Sequence, residues 1–512
     1  MTATDTALRH ELSDWCGSGG AEEFPYDGVI DRLRAVGKHF LDEELLSLLA
    51  ECRTLLLEAD AGDAGDVRAD VDGAGDVRAD VDGAGDVRAD VDGTGDVRAD
   101  VDGTGDVRAD VDGAGDVRAD VDGAGDVRAD VDGAGDVRAD VDGAGDVRAG
   151  TGGAGGVRDA HAGPFLDVLL DKFDDRYDYP SYTALALLRR GAPGDRAGWE
   201  VLRRHRDRTV LLLLADLIGF ERLVLDGAPC DPQGMLPDAL LLNKRLRLAV
   251  RVMEPAALRA LDGAVDPVAV AATPGRTPAG ELADAVLRTT TAGERLLLRT
   301  SVQPVYVLHD EYLFLRVLQS FEATFAFMSA TLDEAVRTLR AEQPGDAAAL
   351  IAAVADVLRE SLPLFSLLAT MQPESFRLFR QFTEGASAIQ SEGYKTFESY
   401  CSTPARARLD SSAFLSVPDV RGEVLAGRET VQGTWEDVIS SGWLTEPDAA
   451  AVRAAALQLE AVHQRWKQTH YRLAVRMIGT RTGTGATEGV PYLASVISQR
   501  LFPAMEKQPA VG

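Results

Sequence analysis

Apolar positions along this chain recur mostly three and four residues apart, the spacing that gathers them on one face of a helix. Residues 24–59 (FPYDGVIDRLRAVGKHFLDEELLSLLAECRTLLLEA) show this spacing and predict two helices that act as a packing element. The stretch PFLDVLLDKFDDRYDYPSYTALALLRR resumes it, interrupted by the tyrosine-rich turn YDYPSY, and residues 208–262 again read as helices. Residues 263–285, rich in Pro, Gly and Ala, read as a loop. Long helices are predicted from Val305 to Leu339 and from Asp448 to Gly479. Strand-like alternation is nearly absent, so the expected fold class is all-α, helices packed on helices.

One tract departs from this pattern. The decapeptide VDGAGDVRAD runs almost unchanged from Val71 to Val141 and beyond, with alanine replaced by threonine only at Thr94 and Thr104. Each copy offers three or four small apolar residues, two glycines and three aspartates, too little hydrophobic area to offset the entropy of ordering it. The expectation is a disordered insertion inside a folded unit. The alternative is a calcium-binding roll or β-solenoid. Against the calcium roll, the period is ten rather than nine and the GGxGxD core is missing.

Composition narrows the class further. A chain of 512 residues exceeds the usual single domain, so two or more compact units, or one with large insertions, are expected. Apolar residues make up 45% of it, yet no uninterrupted apolar run approaches the roughly 20 residues of a membrane span. The start, MTATDTALRHELSDW, lacks the basic and apolar regions of a secretory signal. Cys16, Cys52, Cys230 and Cys401 show no short paired spacing, which argues against a zinc knuckle or disulfide framework and for a cytoplasmic protein. Residues 71–150 hold 23 Asp against 8 Arg, half of the net charge of −30. The rest is moderately acidic, which disfavours nucleic acid or an anionic membrane as a partner, since phosphate binding needs clustered Lys and Arg.

Histidines stand at positions 10, 39, 161, 205, 309, 463 and 470, with no pair three or four apart, so a zinc enzyme is disfavoured. His463 and His470 lie seven apart on one predicted helix, in line with Val462, Trp466, Leu473 and Met477. Periodicity ranks the two almost equally. One proximal histidine is enough for haem iron, but a buried, hydrogen-bonded core histidine has the same spacing. The glycine-rich GTRTGTG follows a helix and lacks the Gly-Lys-Ser/Thr ending of a phosphate loop, so it reads as a helix C-cap and loop.

Three segments, in order, change that balance. WKQTHYRLAVRMIGTRTGTGATEGVPYL (466–493), HDEYLFLRVLQSFEATF from His309, and LLATMQPESFRLFRQFTEGASAIQS from Leu367 together resemble the tryptophan 2,3-dioxygenase family. There a Trp and a His four residues on start a helix that ends in Ile-Gly and a GTGG-type loop. Tyr179-Pro-Ser-Tyr182 is similar to the Tyr-x-x-Tyr element that family members contribute to a neighbouring subunit's active site. The resemblance spans about 200 residues; about 100 more between Tyr182 and His309 have no counterpart in it.

The resemblance implies a haem b cofactor with His470 as the axial iron ligand and Trp466 beside it. It implies Phe314 packed against an indole, Arg380 on the substrate carboxylate, Thr484 on the amino and carboxylate groups, and Phe376, Tyr179 and Tyr182 in the pocket. Leu318 stands where the dioxygenases have a distal histidine, Phe376 replaces a tyrosine and Ala486 a loop glycine. The implied division is a helical element at 1–60, the repeat at 61–157, the first part of the core at 158–300 and a haem-binding catalytic core at 301–507. The implied activity is dioxygen-dependent cleavage of L-tryptophan to N-formylkynurenine, in the kynurenine pathway, by a homotetramer. The alternatives are a same-fold haem monooxygenase on a substituted tryptophan or other aromatic amino acid, and a haem- or tryptophan-binding protein without turnover.

Overall fold

The computed structural model describes residues 3–20, 23–62, nine strands between 67 and 150, and residues 161–190, 192–194, 197–227, 235–261, 266–272, 276–479 and 489–507. The chain forms two compact units, Met1–Pro25 with Glu43–Leu166, and Tyr26–Asp42 with Asp167–Gly512.

In the first unit, α1 (Ala3–Gly17) packs on α2 (Glu43–Gly62). Leu8, Leu12 and Trp15 on one helix, and Leu45, Leu49 and Cys52 on the other, are buried at the spacing of a single helical face. The fold brings Cys16 to Cys52, with their sulfurs 3.0 Å apart, a proximity that no short spacing signals.

The repeat tract corrects the expectation of disorder. Its strands are β1 (Val67–Gly73), β2 (Val77–Ala84), β3 (Val87–Gly93), β4 (Val97–Thr104), β5 (Val107–Gly113), β6 (Val117–Ala124), β7 (Val127–Val131), β8 (Val137–Gly143) and β9 (Val147–Gly150). Odd strands pair in one parallel sheet and even strands in another. This is the solenoid of the two alternatives, with two decapeptides per coil. Nearly every residue pairs with its own kind one coil on, as in Val67↔Val87 and Asp70↔Asp90. One decapeptide cannot cover the entropy of its ordering, but each stacked coil supplies hydrogen-bonding partners for the next, so stability belongs to the array. Val97 is 1% exposed while Arg98 and Arg118 are exposed, the alternation of a strand with one face turned inward.

Outside the tract every described element is helical. The second unit is built on α3 (Trp199–Leu225), α4 (Ala239–Ala260), α5 (His309–Arg340), α6 (Pro344–Leu368), α7 (Pro373–Phe379), α8 (Glu392–Cys401), α9 (Glu446–Ile478) and α10 (Val490–Ile497). Helix α5 is the axis, packed against α3, α6 and α8, while α6 also packs on α9. It is buried nearly all round, so its polar residues need internal partners. Arg316, for example, donates to Asp216 (2.7 Å), Ser301 (3.0 Å), Gln319 (2.9 Å) and the Leu298 carbonyl (2.6 Å).

The two long helices match the predicted spans closely. The expected loop at 263–285 instead contains helices Pro267–Ala272 and Arg276–Arg288. Ala279, Leu282, Ala283 and Val286 recur at three and four and are all buried, and this apolar face outweighs the Pro and Gly content. Among the described residues no helix is long and apolar enough to cross a membrane.

Candidate functional site

Helices α5 to α10 enclose a cavity in the second unit with an empty volume of about 1820 Å3, its open mouth included. Helix α5 lends it Phe314, Leu318, Phe321, Glu322 and Phe325, residues that repeat at three and four and so face one way. On one side an aromatic box forms. Phe314 lies with ring centroids 5.6 Å from Phe376, 5.5 Å from Phe379 and 6.3 Å from Tyr182. Leu318, one turn after Phe314, is buried and offers no hydrogen-bonding group. Arg380 caps the C-terminus of α7 at the edge of this box.

Helix α9 forms the opposite wall. It begins at Thr445, whose hydroxyl accepts from Asp448 N (3.3 Å), and ends at Gly479, whose φ of 64° suits a residue without Cβ. Both His463 and His470 reach the cavity, but their environments differ. His463 is buried with Nε2 on the Tyr394 hydroxyl (2.8 Å). His470 stacks on Phe365 at 5.7 Å and meets the edge of Trp466 at 5.4 Å, with no hydrogen bond among the described residues. Burial first, then the nearby Lys395 charge, pushes its pKa down to about 4. The imidazole is therefore neutral at pH 7, the form that coordinates a metal. Trp466 is 8% exposed, and its Nε1 is buried without a hydrogen-bond partner among the described residues.

A polar stripe completes the wall. Arg408 pairs with Glu398 through two bonds (2.8 and 2.7 Å) and donates to the Tyr492 hydroxyl (2.9 Å). Lys467 donates to the Val496 and Gln499 carbonyls. Lys395 is 3% exposed and stands 4.7 Å from the centroid of Tyr394, and burial lowers its pKa to about 7. Tyr179 donates to Glu322 (2.9 Å) and Tyr182 to Glu311 (3.2 Å). Burial raises Glu311 to about 8, although Val305 N (2.8 Å) and Tyr306 N (3.0 Å) also donate to it.

The structure thus gathers Phe314, Leu318, Phe376, Arg380, Trp466, His470, Tyr179 and Tyr182 around one cavity. Thr484 and Ala486 lie outside the described residues. The resemblance implied that the Tyr179–Tyr182 element serves a neighbouring subunit; here both tyrosines line the cavity of their own chain. Lys395, Glu322, Phe365 and Tyr394 were not anticipated. Glu322 and Phe325 continue the Phe314–Leu318 face of α5 by one and two turns, a signal that was present in the sequence.

No family model matches the chain. It is similar to proteins named tryptophan 2,3-dioxygenase. One from Polaromonas naphthalenivorans is 27% identical over 242 residues, 40% of this chain and 84% of that protein. One from Herpetosiphon aurantiacus is 26% identical over 224 residues, 38% of this chain and 86% of that protein. One from Burkholderia mallei is 27% identical over 232 residues, 38% of this chain and 75% of that protein.

Proposed function

Starting from this distant homology to the tryptophan 2,3-dioxygenases, we propose that the chain is a haem-dependent oxygenase of L-tryptophan or a related indole amino acid, cleaving the 2,3-bond to give an N-formylkynurenine. The observation that carries this reading is the placement of His470 and Trp466 on the cavity face of α9. A neutral His470 without a hydrogen bond among the described residues, and the buried Trp466 Nε1 without one, face a largely apolar cavity. An unpaired buried donor is costly and calls for a partner. His470 would ligate the iron and Trp466 Nε1 would be free to donate to an acceptor of the bound group, while one ring nitrogen of His463 is already committed to Tyr394.

Bound there, haem supplies the binding and activation of dioxygen. The chain supplies the rest. Phe314, Phe376 and Phe379 hold an indole by ring contacts and keep water out. Arg380 presents a planar fork to a carboxylate. Tyr182, tied to Glu311, bounds the box and fixes the ring's position. The apolar side chains of Leu318 and Phe376 move no proton, so this wall positions and dries the substrate. A homo-oligomer in the cytoplasm, a tetramer by resemblance to the family, belongs to the same reading.

Leu318 also favours a second reading, insertion of one oxygen atom into a substituted tryptophan or another aromatic amino acid. Product mass separates the two. Purified protein with haem, reductant, dioxygen and L-tryptophan is expected to yield a product heavier by two oxygen atoms. Gain of one oxygen would select the second reading, and no product with retained tryptophan binding would indicate a binding protein. His470→Ala should lose the Soret band, whereas His463→Ala should retain it; the reverse result would exchange their roles.

A further inference from the structure

Among the described residues, the polar stripe along α8 and α9 contains one buried cation without a hydrogen bond or ion pair. Arg408 is held by Glu398 and Tyr492, Lys467 by two carbonyls, and Arg500 by Glu506 (3.4 Å). No hydrogen bond or ion pair reaches the ammonium of Lys395 among the described residues, although it is 3% exposed and lines the cavity. The ring of Tyr394 lies 4.7 Å from it and in turn stacks on Trp466 at 5.4 Å and 20°, while the carboxylates of Glu398 and Glu322 act on it through space without an ion pair. A compact ammonium withdrawn from water without an anion in direct contact is unfavourable, and Glu398 is already paired with Arg408, so the position suits an anion that arrives with a ligand.

We propose that Lys395 is the carboxylate-binding residue of the cofactor wall and pairs with a propionate of the haem. The proposal rests on the haem reading given above. The position separates this carboxylate from that of the substrate. Lys395 belongs to the group formed by Tyr394, Trp466 and His470, on α8 and α9, and its charge is felt at His470. Arg380 belongs to the aromatic box of α5 and α7. A macrocycle ligated at His470 carries its two carboxylates on one edge, and the wall offers a cation and an orphaned indole N–H to meet that edge.

The test compares release of haem and of its dimethyl ester, whose propionates carry no charge, from the full-length chain. Transfer to an excess of a haem-scavenging protein is followed by the Soret band. Wild type is expected to release the ester roughly 10- to 100-fold faster than haem, the range of a charge-assisted bond. Lys395→Met, which keeps the aliphatic stem, should release both at nearly the fast rate, and Lys395→Arg should restore much of the difference. The wild-type comparison changes the ligand alone, so it stands even if a variant folds poorly. Equal release of haem and ester by wild type would overturn the propionate contact and leave the haem reading intact. Full discrimination by Lys395→Met, or a loss in that variant confined to tryptophan affinity, would also overturn it. Failure of wild type to take up either porphyrin would remove the haem reading and this proposal with it.

Discussion

At the scale of single residues, the proposed role of Arg380 is to recognise the carboxylate of an amino acid. If its guanidinium meets the substrate carboxylate, Arg380→Ala removes a contact worth about 2–4 kcal/mol, so tryptophan affinity measured by the Soret shift should fall roughly 30- to 1000-fold with haem content unchanged. Arg380→Lys should recover only part, because an ammonium lacks the planar fork. Indole, which has no carboxylate, should bind wild type and Arg380→Ala alike; equal tryptophan affinity in the two proteins would contradict the assignment. Arg380 and His470 were legible as matches to a motif, and spacing alone could not have chosen His470 over His463. What separates the two is a hydrogen bond across about seventy residues, Tyr394 to His463, and no local pattern encodes it. Lys395 was hidden for a related reason. A lysine on a helix ordinarily reads as a solvated face, and only the packing of α8 against α5 removes it from water.

At the scale of elements, the first turn of α5 acts as a clamp. Asp310 accepts from Arg245 (2.6 Å) and from the backbone N–H of Gln372 (2.6 Å), the residue that caps α7. Arg245 also holds Glu221 (3.1 Å), which takes His309 (2.9 Å). All four side chains are buried. Asp310→Ala leaves Arg245 buried beside an incomplete set of anions and frees the start of the helix that carries Phe376 and Arg380. Denaturant unfolding should show a loss of about 3–5 kcal/mol, with Asp310→Asn milder because it can still accept from Gln372; a loss below about 1 kcal/mol would mean the clamp is dispensable. The HDE segment was legible as a motif, but its partners Arg245 and Glu221 come from elements distant in sequence. Long helices were legible because their apolar face repeats over many turns. The helices within 263–285 were masked by a loop-forming composition that hides the Ala279–Val286 face. The strands were masked although VRADVDG alternates apolar and polar residues throughout, because a single copy has too little hydrophobic area and only the stacked array makes up the difference.

At the scale of the whole molecule, that alternation makes stability collective and offers a direct test. Each decapeptide carries one arginine, from Arg68 to Arg148, so trypsin has a potential cut in every strand. A protease needs an extended, unpaired segment, which a strand hydrogen-bonded on both sides does not present. Brief trypsin treatment of the native chain should therefore leave the tract in one piece, whereas the chain unfolded in urea and assayed with the same protease should yield decapeptides. Removal of residues 87–106, one full coil, keeps each remaining strand in its own sheet, and both trypsin resistance and haem content should match wild type. Removal of residues 87–96 alone moves every later strand to the opposite sheet, yet each still stacks on a near-identical decapeptide, so resistance within the tract should again be kept. Native cleavage at successive arginines as fast as in urea would show that the repeat does not hold its strands in solution, its small apolar area being too little to order even the stacked array.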